Sequence, residues 1–267
     1  MVDFQCKNRY DWEDFLQIIK LLRSPGGCPW DAEQTHESIK KDLIEETYEV
    51  IEAINKKSPA MLQEELGDLL MQVVFHSRLS QEAGEFAFAE VCDGICKKLV
   101  ERHPHVFGEV NVSDTDEVLS NWDAIKRNSK NHKTTTQAID SVPRELPALM
   151  RSAKIQHKAA KAGFDWPDVA GALDKIPEET AELKEAIAAG NQAHIADELG
   201  DLLFAVVDVS RFVKVDAEEA LTAATDKFRN RFAGVEALAV ERGIDMKNSS
   251  IEELDRLWDE VKRNSLA

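Results

Sequence analysis

Residues 65–70 read ELGDLL, and residues 198–203 read ELGDLL again. Two acids inside an apolar phrase resist burial, because a carboxylate leaves water cheaply only when something pairs with it. The separation of 133 residues between the copies (198 against 65) also carries Glu45 to Glu178, Glu46 to Glu179, Glu49 to Glu182 and Asp68 to Asp201. Acids held in one register in this way identify two copies of a single unit. The match continues downstream, where NWDAIKRNS at 121–129 answers LWDEVKRNS at 257–265. Upstream, CPWD at 28–31 loosely answers GFDW at 163–166.

Within each copy the apolar period is helical. Leu43, Ile44, Val50, Ile51 and Ile54 form one stripe; Leu66, Leu69, Leu70, Val73 and Val74 form the next, and the Leu residues of ELGDLL read as core. Ser58-Pro59 supplies an N-cap and a first-turn proline for the second of these helices. Asp216 with Glu219, and Ser250 with Glu253, predict capping boxes. No segment alternates like a strand, and glycine and proline are sparse in the 267 residues. The expected fold is all-α, a tandem repeat of two four-helix units. A polar threonine run and two prolines predict a linker over 131–147, between domains at 1–130 and 148–267.

A formal net charge of −17 argues against nucleic-acid polymers and anionic membrane surfaces, whose sequence-independent attraction needs Lys and Arg. No run of about 18 apolar residues is present, and the first residues lack an apolar signal core, so a soluble cytoplasmic protein is expected. Cys6, Cys28, Cys92 and Cys96 fit no common structural zinc spacing, and reduced thiols suit the same compartment.

On a helix, Glu179 and Glu182 lie on one face, as do Glu198 and Asp201 on the next. If those helices are antiparallel, the four carboxylates meet across one groove, with Gly200 expected to let the helices approach. A lone ExxE is usually a solvated face. Recurrence in register beside apolar phrases favours a metal site, matched in the first copy by Glu46, Glu49, Glu65 and Asp68. Carboxylates without His or Cys suit Mg²⁺ first and Mn²⁺ second; iron is disfavoured because di-iron bundles use Glu-x-x-His pairs. Such an ion is commonly completed by phosphate oxygens. Lys227 with Arg231, and Trp258 with Lys262, offer cations and a stacking ring. Lys98 with Arg102, and Trp122 with Lys126 and Arg127, repeat the pattern.

EETAEL…DELGDLLF at 178–204 and EETYEV…EELGDLLM at 45–71 resemble the E-E-x-x-E…E-x-x-D signature of the MazG nucleoside triphosphate pyrophosphohydrolases. The phrases GGCPWDAEQTHESIKKDLIEE, ERHPHVFGEV, LPALMRSAKIQHKAAKAGFDW and LWDEVKRNS resemble those of its two-domain members. The resemblance implies Mg²⁺-dependent cleavage of nucleoside triphosphates between the α and β phosphates, with broad base choice, in a homodimer. It implies Glu179, Glu182, Glu198 and Asp201 as catalytic metal ligands. Lys175, Glu178, Glu179, Asp201, Lys227, Arg231, Trp258 and Lys262 fall at nucleotide contacts; Lys98, Arg102, Trp122 and Lys126 are their counterparts in the first copy. Asp42 stands where the second copy has Lys175, so the second copy is expected to be the principal catalyst, although Lys41 lies beside Asp42. Alternatives are a narrow dUTP or phosphoribosyl-ATP hydrolase of the same superfamily, and a non-catalytic helical scaffold.

Overall fold

The computed structural model describes residues 2–115, 117, 118, 121, 122, 125 and 134–264. The chain divides into two compact units, residues 1–126 and 127–267, and every regular element among the described residues is a helix. None of these helices is long and apolar enough to cross a membrane.

Each unit is organised by a helical hairpin. In the first, Lys40–Asn55 turns into Pro59–Glu82. The turn ends at Ser58, whose hydroxyl accepts the Met61 N–H at 3.4 Å, and Pro59 enters the helix where no N–H partner is needed. In the second unit, Val169–Ala189 turns into Gln192–Phe212. Gly190 adopts φ 70°, a left-handed conformation suited to glycine, and Asn191 accepts the N–H groups of Ala193 and His194 at 3.2 and 3.3 Å. Trp12–Leu22 and Phe88–Arg102 pack on the second helix of the first hairpin, and Pro29–Glu33 and Pro104–Phe107 are short helices beside these four. In the second unit Ala148–Lys161 packs on Gln192–Phe212 and on Ala217–Arg242, and Ile251–Asn264 lies against Ala217–Arg242.

Equivalent positions are buried in both hairpins: Ala53 and Ala186, Val74 and Val207. The first core gathers Ile19, Ile39, Val74, Phe75 and Leu79; a cluster in the second gathers Val235, Ala239 and Leu257. The Arg23 guanidinium fastens the 24–34 segment, donating to the carbonyls of Asp31 and Gln34 and to Glu82 at 2.8 Å.

Several local expectations are corrected. Ile44, Ile51, Ile54, Leu66, Leu70 and Val73 are exposed; only Val74 of the two predicted stripes is fully buried. The helices close through narrower contact faces, built on residues such as Ala53 and Ala186, than the apolar pattern suggests. Gly67 and Gly200 do not mark close helix approach, since a Cβ at either would meet nothing within 4 Å. Tight approach occurs instead at Gly234, where a Cβ would lie 2.8 Å from a Val261 methyl. The 131–147 stretch is more than a linker: Thr134 and Gln137 form a full capping box for a Thr135–Asp140 helix, and Val142 is buried. Residues 131–133 lie outside the described residues. Asp216 and Ser250 do accept the N–H groups of Glu219 and Glu253, at 3.0 and 3.3 Å. The reciprocal bond of a full box is recorded instead at Asp11 with Asp14 and at Thr134 with Gln137.

Gly94, inside Phe88–Arg102, also faces open space, so alanine there removes only glycine's unfolded-state freedom. Thermal unfolding should show Gly94→Ala stabilised by about 0.5–1 kcal/mol. Gly234→Ala should be destabilised by about 1–3 kcal/mol through overpacking against Val261. Equal midpoints for the two variants would contradict this assignment of the tight contact.

Candidate active site

In the second unit Glu179 and Glu182 project from Val169–Ala189 and Glu198 from Gln192–Phe212. Each offers an oxygen, and these oxygens all lie within 4.8 Å of one another. Glu179 and Glu198 are buried, at 7% and 9% exposure, whereas Glu182 is exposed. Partial loss of solvation beside the two buried acids, then the charges of Glu179 and Glu198, hold the Glu182 carboxyl above its ordinary range. Asp201 stands outside the 4.8 Å group but feels it: burial, then Asp197, Glu179 and Glu198, raise its pKa.

Two basic side chains reach the buried acids, each from one helical turn earlier. The Lys175 ammonium is 2.8 Å from Glu178 and 2.7 Å from Glu179, and these bonds, Glu178 first, raise its pKa. His194 Nε2 lies 2.7 Å from Glu198 Oε1. Glu198 Oε2 is buried with no hydrogen-bond partner among the described residues. An orphaned buried carboxylate oxygen calls for a donor or a cation. An all-oxygen set drawn from two helices fits a hard divalent ion.

The first unit repeats the group with Glu46, Glu49 and Glu65, all half-buried. Glu46 is raised by burial and then by Asp68 and Glu49; Glu65 is raised by burial and then by Glu49 and Glu64. At the positions of Lys175 and His194 it carries Asp42 and Met61. Its acids therefore lack the i−4 basic partners of the second group.

Lys175, Glu178, Glu179 and Asp201 of the expected nucleotide contacts lie on the acid-bearing helices, and the other four lie on another helix pair. Lys227 and Arg231 lie on Ala217–Arg242, and Trp258 and Lys262 on Ile251–Asn264. The Arg231 guanidinium is 5.9 Å from the centre of the Trp258 ring. Sequence reading overlooked Phe228 and Phe232, both exposed, although their i,i+4 spacing beside Lys227 and Arg231 was visible. Phe228 lies 5.2 Å from the Trp258 ring and 6.1 Å from Phe232, extending the aromatic surface. In the first unit Lys98 and Arg102 share Phe88–Arg102, and the Trp122 ring meets His103 edge-on at 4.9 Å. Lys126 and Arg127 lie outside the described residues. All four cysteines are free thiols.

The MazG nucleotide pyrophosphohydrolase domain matches residues 34–107 and 169–235, which contain the acid-bearing helices of both units. The chain belongs to the MazG family. Among MazG relatives, the nucleoside triphosphate pyrophosphohydrolase of Escherichia coli (strain K12) is 43% identical over 256 residues, 94% of this chain and 97% of that protein. The nucleoside triphosphate pyrophosphohydrolase/pyrophosphatase MazG of Thermotoga maritima is 43% identical over 251 residues, covering 94% and 95%. A crystal structure of a MazG-related protein from Thermotoga maritima matches 43% of this chain and 99% of its own at 29% identity, with a TM-score of 0.38. The two matched segments agree with a tandem MazG-like repeat.

The first MazG repeat also holds a polar cluster that its sequence did not advertise. His36 Nδ1 and His76 Nδ1 are 2.7 Å apart, with rings parallel within 6° and centroids 5.0 Å apart, so the imidazoles meet edge to edge in a common plane. Ser80 Oγ lies 3.2 Å from His36 Nε2. The corresponding residues of the second repeat are Val169, Val209 and Val213. Burial, then His36, lowers the His76 pKa from the ordinary imidazole value. The unfolded chain therefore takes up this proton at higher pH than the fold does. The contribution is fully present above about pH 6.5 and is lost as pH falls through the lower folded value. Urea midpoints measured from pH 7.5 to 5.5 should fall less steeply when His36, His76 and Ser80 are all replaced by valine; parallel slopes would remove the cluster from the acid response.

Proposed function

We propose that the second repeat hydrolyses nucleoside triphosphates between the α and β phosphates, yielding a monophosphate and pyrophosphate, with Mg²⁺ as the preferred ion, Mn²⁺ as a substitute and broad tolerance of the base. The observation that carries this reading is the convergence of Glu179, Glu182 and Glu198 from two helices, beside the orphaned Oε2 of Glu198.

In this reading Glu179, Glu182, Glu198 and Asp201 hold the cation. When bound, the ion neutralises phosphate oxygens and lowers the pKa of a coordinated water. The chain's own residues do the rest. A carboxylate of the cluster accepts the proton of the attacking water, and the water oxygen bonds to phosphorus as the bond to the α–β bridging oxygen breaks. Lys175, already held between Glu178 and Glu179, is the nearest cation to meet a phosphate. Lys227, Arg231 and Lys262 add positive charge, and Trp258 offers a face on which a base stacks.

The acids and the aromatic group lie on different helix pairs. Gln192–Phe212 also leaves Leu199, Leu203 and Val206 exposed, and Pro59–Glu82 leaves the matching Leu66, Leu70 and Val73 exposed. A homodimer that covers such a stripe is part of this proposal. Light scattering should find a dimer in the unsubstituted chain and a monomer in Leu199→Glu/Leu203→Glu; a monomer in both would remove the dimer.

The function is tested by pyrophosphate release over a panel of ordinary and damaged nucleoside triphosphates, with and without Mg²⁺. Glu179→Gln and Glu198→Gln should each reduce release by at least about 100-fold, more than loss of a ligand's supporting neighbour usually costs. No release from any substrate would sink the enzyme reading. Glu46→Ala should cost far less than Glu179→Ala, because Asp42 replaces Lys175 in the first repeat. Equal losses would make both repeats catalytic.

A further inference from the structure

The two hairpins start their second helices alike. Ser58 accepts the Met61 N–H, and Asn191 accepts the His194 N–H, so Met61 and His194 leave equivalent first turns. One turn later come Glu65 and Glu198. From this position the second repeat presents a polar side chain to the acid and the first presents methionine.

There the imidazole Nε2 is 2.7 Å from Oε1, while Oε2 is buried without a partner among the described residues. The side chain of His194 is half exposed, at 50%, against 11% for that of Glu198, so it covers the acid from the solvent side. Lys175 does the same for Glu179 from the preceding helix, with 2.7 Å to Oε1. Both buried acids of the group thus have one oxygen engaged by the residue four positions earlier. Asp42 and Met61 leave the first repeat without either arm.

We propose that His194 is a positioning residue for the second repeat. It occupies Oε1 of Glu198, fixes the carboxylate rotamer, and leaves Oε2 as the acceptor for a hard divalent cation. The proposal rests on the acids being a cation site. A neutral imidazole N–H suffices for the role. The gain comes from ordering Glu198 before the ion arrives, so the entropy of fixing its side chain is not charged against binding.

The test is direct Mn²⁺ binding without nucleotide, followed by electron paramagnetic resonance of the free ion. It uses the full chain carrying Glu46→Gln and Glu65→Gln, which silence the first group. His194→Met, the residue of the first repeat, should weaken Mn²⁺ binding about 10–100-fold. His194→Gln, whose amide N–H reaches the same oxygen, should recover most of it, a rescue that loss of folding would not give. Unchanged affinity in His194→Met overturns the positioning role. No binding in the parent chain overturns that role together with the cation site. Weakened binding by a chain that releases no pyrophosphate from any triphosphate leaves His194 as assigned and removes the enzymatic reading alone.

Discussion

Repulsion among carboxylates across a helical hairpin is the constraint around which both units are arranged. Glu179 and Glu198 are buried within reach of each other and of Glu182, a placement that opposes folding unless charge is compensated. Part of the compensation is built in: the Lys175 ammonium pairs with Glu179, and His194 lies within hydrogen-bond distance of Glu198. The remainder is visible as a deficit, in the raised pKa values of Glu182 and Asp201 and the orphaned oxygen of Glu198. That deficit is what the proposed cation would relieve.

The two repeats solve the same problem differently. The first leaves Glu46 and Glu65 half-buried where the second buries Glu179 and Glu198, and gives them no basic neighbour one turn back. It also puts His36, His76 and Ser80 where the second has three valines, with His76 and Ser80 about two and three turns of Pro59–Glu82 beyond Asp68. Duplication has preserved the hairpin and its caps while the polar environment of each groove has changed. The proposed division of labour, with the second repeat catalytic, follows from this asymmetry and not from the acids, which are the same in both.

The all-helical class, the repeat and its register were legible because each depends on local pattern: a 3.6-residue apolar period, a serine before a proline, acids spaced by 133. The pairing of Glu179 and Glu182 with Glu198 was legible for the same reason, since a two-residue connection leaves the second helix little choice but to return antiparallel. Burial was less legible. Leu66, Leu70, Val73 and their counterparts are as apolar as any core residue, yet they face outward. Periodicity tells which residues share a face and says nothing of whether that face has a partner.

By itself, then, the sequence determined the fold class, the tandem hairpins and the acids that meet across them, because helix geometry converts spacing into facing. Tertiary structure decided what spacing cannot encode. It showed that Gly234, not Gly200, is where two elements nearly touch. It brought Phe228 against Trp258 and His36 against His76 over long sequence separations. It also put the acids and the Arg231, Phe228 and Trp258 group on different helix pairs. Those outcomes depend on how packed surfaces exclude one another in three dimensions, and a one-dimensional pattern carries that information only after the chain has folded.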